Sequence, residues 1–374
     1  MATVREKAAL VADRTLTVAI EGRVSNLQGT SVLRSLEKGK NLIRSRLDGY
    51  TYPVLTLPSE IVSEIFMHSL PMYPKCPVLT GIGSPTLLGQ ICHAWRAIVF
   101  SNPRLWRSIS LPLYNRGPAV GRRLEVILRT WLERSGSCSL SITFELAFYA
   151  GNDNGRLLPL YKAIEPHHPR LEHFKILMPS SPHQFRMPLP SLRSLDIQCN
   201  PMHLDITDTP ITAFLHAHLL RKVIISAFHA FCHPILPWAQ LTSLVVYGIT
   251  PDEFHLVANF RSFLVTSNNL IGGQKVLPCL ETLILVSGIR FAEMRAAIDA
   301  FTLPALRSLR VTEWLLRPDA IAAIVSLVSR SGCSLQELVI YGSQLPNNLY
   351  HNALPSVSSV SFEDKMAEEL EDDN

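Results

Sequence analysis

A six-residue hydrophobic pattern, Leu-x-x-Leu-x-Leu with aliphatic or aromatic substitutions, recurs through the second half of the chain. Its copies begin at Leu171, Leu192, Leu220, Leu241, Leu280, Leu306 and Leu335, with a weaker copy at Val357. Successive copies start 21 to 29 residues apart, except for one interval of 39 residues, which indicates an insertion. A period in this range is typical of stacked strand-and-helix units, each of which buries its hydrophobic side only against its neighbours.

The segments between these copies carry hydrophobic residues at helical spacing. They include residues 122–135, 251–264, 291–301 and 318–328. The last begins at Asp319, after a proline, and is closed by Gly332, which are start and stop signals of a helix. We therefore predict amphipathic helices that cover one side of the strands. The first of them leads into the alternating run 140–144, which we take as the strand of the first, capping unit.

Three shorter helices are predicted ahead of the repeats. Pro58 and Glu60 mark a helix start, because proline is tolerated in the first turn and a negative charge suits the helix dipole there. Apolar residues at helical spacing follow at Ile61, Ile65, Phe66 and Leu70. Ser84 and Pro85 repeat the start signal, and the apolar stripe of the next helix extends over residues 87–99. A third short helix is expected over residues 104–109.

Still earlier, hydrophobic residues fall at alternating steps of three and four between residues 33 and 47. This spacing predicts an amphipathic helix within residues 27–50. Gly39 and Lys40 on this stretch, and its length of about two heptads, disfavour a self-standing coiled coil, which normally needs several heptads. We therefore favour a helix that folds back on the following helices over one that dimerises the chain.

Composition fits a folded chain with reduced thiols. Its 374 residues are 47% hydrophobic, and this length allows a small module beside a larger one. The seven cysteines are widely spaced and form no C-x-x-C pair, which argues against a disulfide framework and a zinc ribbon. No apolar stretch approaches the ~18 residues of a membrane helix. We expect residues 1–26 to be poorly ordered, and residues 363–374, with seven acidic residues and one lysine, to form a disordered tail.

Residues 57–109 carry the most specific motif of the chain. It consists of LPSEIVSEIFMHSL, a stretch rich in proline and glycine, and LLGQICHAWRAIVFSNPRLWRSI. This motif resembles the F-box family, most closely the expanded fungal F-box-like proteins, in which a lead-in such as Tyr52 to Pro58 precedes the box. The resemblance implies an F-box at residues 51–112 with an insertion at residues 72–83.

An F-box implies binding to the Skp-type adaptor of a cullin-based ubiquitin ligase, while the rest of the chain selects the substrate. Transferred position by position, the adaptor-facing or adaptor-supporting residues are Leu57, Pro58, Ile61, Ile65, Leu88, Ile91 and Trp95. Trp95 and Trp106 are expected to pack inside the box. The repeats at residues 121–362 resemble, more loosely, a leucine-rich-repeat domain. The expected fold is a mixed α+β or α/β solenoid, in which a small helical F-box precedes an irregular leucine-rich-repeat horseshoe.

Side chains between the repeat leucines are expected to point to solvent on the inner face of the horseshoe. Those of the early strands are polar, whereas those of the later strands are apolar. Because tyrosine is favoured in the centres of interfaces, we expect a substrate patch there. Its residues are Val245, Tyr247, Ile284, Val286, Val339 and Tyr341. The alternative is that long loops or an insertion cover this face.

The sequence contains few signals of a catalytic site. The chain has no Gly-rich phosphate loop, no G-x-S-x-G elbow and no H-E-x-x-H motif. His229, Cys232 and His233 lie close together, but without a second cluster they are more typical of a turn than of a zinc site. Basic residues are not concentrated in a run with interleaved aromatics, which disfavours nucleic-acid binding. We therefore expect neither an enzyme nor a cofactor.

The resemblance to the F-box family therefore implies the substrate-recognition subunit of an SCF-type ubiquitin ligase. We expect it in the cytoplasm or nucleus, monomeric outside the complex, with a protein client and without a membrane partner. The alternative is a ligase-independent scaffold whose degenerate box, stretched by residues 72–83, no longer binds the adaptor.

Overall fold

The computed structural model describes residues 12–20, 30–48, 56–113, 118–145, 154–177, 187–198, 213–226, 236–247, 275–286, 298–299 and 301–363. The chain forms two compact units. Residues 1–69 and 88–101 make up the first unit, and residues 70–87 and 102–374 make up the second. The second unit thus contains the repeats together with the stretch predicted as an insertion in the box.

The first unit is helical throughout its described part. Its helices are α1 (residues 12–20), α2 (Thr30–Asp48), α3 (Ser59–Ser69), α4 (Pro85–Ile91, which starts in the second unit) and α5 (His93–Ser101). Helix α2 confirms the predicted amphipathic helix. Of residues 1–26, which were expected to be poorly ordered, only residues 12–20 are described, and they form α1, whose Asp13 forms an ion pair with Arg46 of α2 at 3.0 Å.

The stretch expected to form the second helix of the box is divided between α4 and α5. The division lies at Cys92, whose Sγ accepts a hydrogen bond from the main-chain N–H of Trp95 at 3.4 Å. Cys92 thus caps the start of α5 in the way that a serine would. Arg96 Nε donates to the carbonyl of Gly89 at 2.8 Å, which satisfies a main-chain acceptor near the end of α4.

The second unit contains twelve described strands. They are β1 (Ser108–Pro112), β2 (Leu140–Glu145), β3 (Leu171–Leu177), β4 (Ser194–Gln198), β5 (Lys222–Ser226), β6 (Ser243–Tyr247), β7 (Lys275–Val276), β8 (Thr282–Val286), β9 (Phe301–Thr302), β10 (Ser308–Thr312), β11 (Glu337–Tyr341) and β12 (Ser359–Glu363). Ten of them form a parallel sheet in the order β1-β2-β3-β4-β5-β6-β8-β10-β11-β12, and β7 pairs with β9. Every repeat copy predicted from the sequence contributes a strand to the larger sheet, so the mixed α/β fold is confirmed.

Register between the strands places equivalent repeat positions side by side. Leu195 pairs with Val223, and both side chains are buried on the covered side of the sheet. Asp196 pairs with Ile224 one residue later, and because side chains alternate along a strand, this row lies on the opposite side. We call that side the inner face.

Strand β1 was not predicted. Residues 104–109 were expected to form a third short helix of the box, but a 3-10 helix at Pro103–Trp106 is followed directly by β1. Pairing with β2 decides the conformation, because Ile109 fits a strand as well as a helix. Trp106 packs edge-on against Trp131 with 4.7 Å between ring centroids, and both belong to the second unit. Trp106 thus packs against a residue of the repeat region, a contact that the sequence did not predict.

Helices and turns connect the strands. They include α6 (Pro118–Arg134), α7 (Asn154–Ile164), α8 (Ala320–Ser331), α9 (Asn347–Ala353) and 3-10 helices at Glu165–Arg170, Trp238–Gln240 and Glu313–Leu316. Helices α6 and α8 confirm two of the predicted covering helices. Of the others, residues 251–264 and most of 291–301 lie outside the described residues, although Phe301 begins β9 rather than ending a helix. Among the described helices, none has the length and apolar character needed to span a bilayer.

Candidate protein-binding surfaces

Helix α3 and the turn directly ahead of it present large exposed apolar side chains, with Ile61 and Ile65 on the helix and Leu57 two residues before its start. Leu57, Ile61 and Ile65 follow one another at steps of four residues and are 39%, 49% and 45% exposed. Val62 and Phe66 lie on the other side of the helix and are buried. This division follows from helical geometry, because residues four apart share one face. We call Leu57, Ile61 and Ile65 the α3 row.

The remaining residues assigned to the adaptor set differ in exposure. Pro58 is exposed at the start of α3, and Ile91 is 56% exposed at the end of α4. Leu88 and Trp95 are half-buried. The Trp95 ring packs edge-on against Phe66 at 4.9 Å between centroids, as expected for a residue that supports the helices from inside. Four residues of the predicted set besides Pro58 therefore offer apolar surface: the α3 row and Ile91.

The insertion at residues 72–83 contributes to a second site, because its side chains contact the inner face of the repeat sheet. Tyr73 donates a hydrogen bond from its hydroxyl to Glu172 Oε2 at 2.8 Å. The Arg107 guanidinium lies 4.0 Å from the centroid of the Tyr73 ring, and the ring of His173 meets it edge-on at 5.4 Å. A single tyrosine thus contacts β3 on one side and the segment that leads into β1 on the other.

Burial and hydrogen bonding shift the pKa values of the groups around this tyrosine. Burial, and then the hydrogen bond to Glu172, raise the pKa of Tyr73 far above its ordinary value, so the phenol remains a donor. Burial alone would raise the pKa of Glu172, but hydrogen bonds from Tyr73 and Arg193 hold it below its ordinary value. Burial also lowers the pKa of His173. At neutral pH the Tyr73 phenol is therefore uncharged, and it donates its hydrogen bond to the ionised carboxylate of Glu172.

Two further contacts fix the insertion on the sheet. The Ser141 hydroxyl donates to the main-chain carbonyl of Pro74 at 2.7 Å. Cys76 Sγ lies 3.5 Å from the hydroxyl oxygens of Ser141 and Thr143, and burial raises the pKa of its thiol. We refer to Tyr73, Pro74 and Cys76 as the docked segment. Sequence reasoning missed this site, because the docked segment is separated by 65 or more residues from its hydrogen-bond partners on β2 and β3.

The predicted substrate patch is not open to solvent. Val245, Ile284, Val286, Val339 and Tyr341 are 2–6% exposed and form one buried cluster with Ile224. The side chain of Tyr247 lies outside the described part of the molecule. The expectation that these inner-face positions point to solvent is therefore wrong for five of the six residues. Side chains at equivalent positions on adjacent strands lie about 5 Å apart, so these residues also contact one another along the sheet.

A polar row on the inner face is more accessible than that cluster. Its residues occupy the first inner-face position of successive strands and are each half-buried: Ser194, Lys222, Ser243, Thr282, Ser308 and Glu337. At the next inner-face position, Lys175 forms an ion pair with Asp196 at 3.3 Å. Arg310, at the same position of β10, forms an ion pair with Glu337 of the polar row at 3.3 Å. Burial raises the pKa of Asp196 in spite of Lys175. This row offers hydroxyl and charged groups to a ligand.

The candidate metal residues His229, Cys232 and His233 lie outside the described residues. Among the residues that are described, no group of three or more His, Cys, Asp or Glu side chains is arranged to hold a metal ion.

Comparisons with protein-family models, with curated proteins and with solved structures found no match to this chain.

Proposed function

We propose that this chain is the substrate-recognition subunit of an SCF-type cullin ubiquitin ligase. Helices α3 to α5 form an F-box that binds a Skp-type adaptor, and the second unit binds a protein client. The observation that carries the proposal is the α3 row, three large apolar side chains left exposed on a short helix and on the turn ahead of it, at the position of the F-box motif.

The free energy available from these residues suits the centre of an interface. Burying a large aliphatic side chain completely contributes about 1.5–3 kcal/mol, and the α3 row and Ile91 are each roughly half exposed. Together they supply about 3–6 kcal/mol by this reckoning. Association itself costs at least about 4 kcal/mol, so polar contacts around the row must contribute as well. Because the free energy from apolar burial is close to this cost, a charge placed within the α3 row should abolish binding of the adaptor.

The parallel sheet of the second unit supports a leucine-rich-repeat solenoid. Each strand pairs with the strand of the next repeat, which is the arrangement that stacked units generate. We propose that these units form a curved horseshoe whose inner face receives the client. Because the apolar cluster is buried, the polar row that includes Lys222 and Glu337 is the better candidate for client contact.

Other properties follow from this role. A ligase subunit of this kind acts by holding two proteins together, so it needs neither a catalytic centre nor a cofactor of its own. We place it in the cytoplasm or nucleus, as a monomer outside the complex, without a nucleic-acid or membrane partner.

The second candidate is a ligase-independent scaffold. It is favoured by the division of the predicted box, whose insertion belongs to the second unit and whose second helix is cut at Cys92. In that case the inner face would still bind a protein, but the α3 row would bind no adaptor.

Co-purification separates the two candidates. Tagged chain is expressed with a Skp-type adaptor, and the adaptor retained on the resin is quantified for the wild type, Ile65→Lys and Leu42→Lys. Leu42 is 66% exposed on α2 and serves as the matched control for an added surface charge. We expect Ile65→Lys to lose at least nine-tenths of the adaptor and Leu42→Lys to retain it.

The ligase proposal fails if correctly folded wild-type chain retains no adaptor, which is the result that the scaffold predicts. Equal retention by wild type and Ile65→Lys would instead remove the α3 row from the interface. Circular dichroism of each variant checks that the helices are intact.

A further inference from the structure

The docked segment is held by contacts of the kind through which a protein binds a peptide. The Tyr73 hydroxyl donates to Glu172, its ring lies against Arg107, and the Pro74 carbonyl accepts from Ser141. A polar tip, an aromatic ring and a main-chain group are thus bound by three separate side chains of the second unit. Peptide recognition commonly combines main-chain hydrogen bonds with side-chain pockets in this way.

The surface beneath the docked segment is set by the sheet. Main-chain pairing of β2 with β3 places Ser141 beside His173, and Thr143 beside Lys175. Pairing of β1 with β2 places Ser108 beside Ser141 in the same row. Strand register therefore fixes these main-chain positions through pairing that does not involve the insertion.

We propose that the inner face of β1 to β3 is a binding site for peptides in which an unmodified tyrosine is followed by proline, and that the insertion occupies this site in cis. That such a peptide belongs to the client rests on the proposed function. Binding of the peptide itself does not depend on it, because every contact lies within the second unit.

The chemistry of the contacts defines the ligand. Glu172 accepts a hydrogen bond from the phenol, so tyrosine is preferred to phenylalanine. Phosphotyrosine is excluded, because its charge of about −2 would face the Glu172 carboxylate. Proline after the tyrosine has no N–H, so this position leaves no main-chain donor unpaired against the sheet.

Competition from the insertion keeps this site closed to weak ligands. A short tether holds the docked segment at an effective concentration in the millimolar range, so a free peptide of the same sequence competes poorly with it. Removal of the Tyr73 side chain takes away the hydroxyl and ring contacts of the cis ligand while it leaves Glu172, Arg107 and Ser141 in place. The site then becomes available in trans.

Fluorescence anisotropy with the full chain tests this proposal. The probe is a labelled peptide with the sequence of residues 70–78, LPMYPKCPV, and the control peptide carries alanine in place of its tyrosine. We expect Tyr73→Ala to bind the probe at least ten times more tightly than wild type does, and at least ten times more tightly than it binds the control peptide. Adding Glu172→Gln to Tyr73→Ala is expected to weaken probe binding at least tenfold.

Equal affinity of Tyr73→Ala for the two peptides, or equal affinity of wild type and Tyr73→Ala for the probe, overturns the proposal. If Tyr73→Ala loses its native circular dichroism signal, Tyr73→Phe decides instead, because it removes only the hydroxyl. That variant is then required to bind the probe more tightly than wild type does. Adaptor retention by the same proteins, measured separately, shows whether the proposed function fails independently.

Discussion

At the scale of single residues, we expect His173, whose ring packs against Tyr73, to make the stability of the fold depend on pH. Burial lowers its pKa below the ordinary value of 6.5, and the charged groups that act on it are Glu172, Arg193 and Lys222. A depressed pKa means that the unfolded chain takes up the proton first as pH falls. The stability contributed by neutral His173 is therefore present above about pH 6.5 and is lost as pH falls through the lowered pKa of the folded state.

We expect the free energy of unfolding to decrease between pH 7 and pH 5, by at most about 1.4 kcal/mol per pH unit for one proton. Glu172 adds a further decrease below its ordinary pKa of 4.5, because its pKa is also lowered by folding. Urea denaturation of wild type and His173→Gln at pH 7.5, 6.5 and 5.5 measures the effect. The variant should lose part of the pH dependence, and identical slopes for the two proteins would contradict the assignment to His173.

At the scale of elements, buried Glu313 joins the end of β10 to the segment that leads into α9. Its Oε2 accepts hydrogen bonds from the Ser343 hydroxyl at 2.7 Å, the Gln344 N–H at 3.0 Å and the Tyr350 hydroxyl at 3.1 Å. Tyr350 is itself fully buried, and burial followed by the charge of Glu313 raises the pKa of its phenol. With the Leu345 N–H at 3.4 Å, one carboxylate oxygen thus accepts from four donors of the following segment.

Removal of this carboxylate should be costly, because it leaves buried donors without an acceptor. We expect Glu313→Ala to lower the free energy of unfolding by about 2–4 kcal/mol. Glu125→Ala, which breaks an i,i+4 ion pair with Arg129 on the surface of α6, is the comparison and should cost about 0.3–0.5 kcal/mol. Chemical denaturation measures both variants, and a loss for Glu313→Ala no larger than for Glu125→Ala would contradict this account.

Local signals predicted the elements that depend on local interactions. Asp319 caps α8 by accepting from the Ala322 N–H at 2.9 Å, and Gly332 closes it in the left-handed region at a φ of 60°. The repeat leucines likewise predicted strands, because their spacing reflects burial on one side. Ile109 was misassigned because its conformation depends on pairing with Ile142, a residue of the next strand.

The candidate sites show the same difference between local and long-range interactions. Helical spacing placed Ile61, Ile65 and Phe66 on one apolar face, and only the family resemblance assigned Ile61 and Ile65 to the adaptor. In the structure these two side chains are exposed, whereas Phe66 is buried. The docked segment was not predicted, because Tyr73 contacts Glu172 across 99 residues of sequence. Exposure on the inner face was also misjudged, since the burial of Val339 depends on neighbouring strands rather than on its own pattern.

At the scale of the whole molecule, the two units are interleaved along the chain. Residues 70–87 belong to the second unit although residues on both sides of them belong to the first. A fragment that ends at residue 112 therefore contains the docked segment without Ser141, Thr143 and Glu172, which hold it.

We expect Cys76 to be alkylated by iodoacetamide at least about ten times faster in a fragment of residues 1–112 than in the full chain, because burial there both hides the thiol and raises its pKa. Mass spectrometry of the peptide that contains Cys76 gives the rate, and Cys92 in the same samples reports on the first unit. Equal rates at Cys76 in the two proteins would show that the contacts to β2 and β3 do not protect it.

Interleaving also limits how this architecture can be recombined. The polypeptide passes between the two units three times, at residues 69–70, 87–88 and 101–102, so no single junction separates them. Fusion of residues 1–112 to a different repeat domain would separate the docked segment from Glu172 and Ser141. These side chains would have to be introduced into the new domain as well. The same constraint applies to domain exchange in evolution, so we expect the two units to be inherited together.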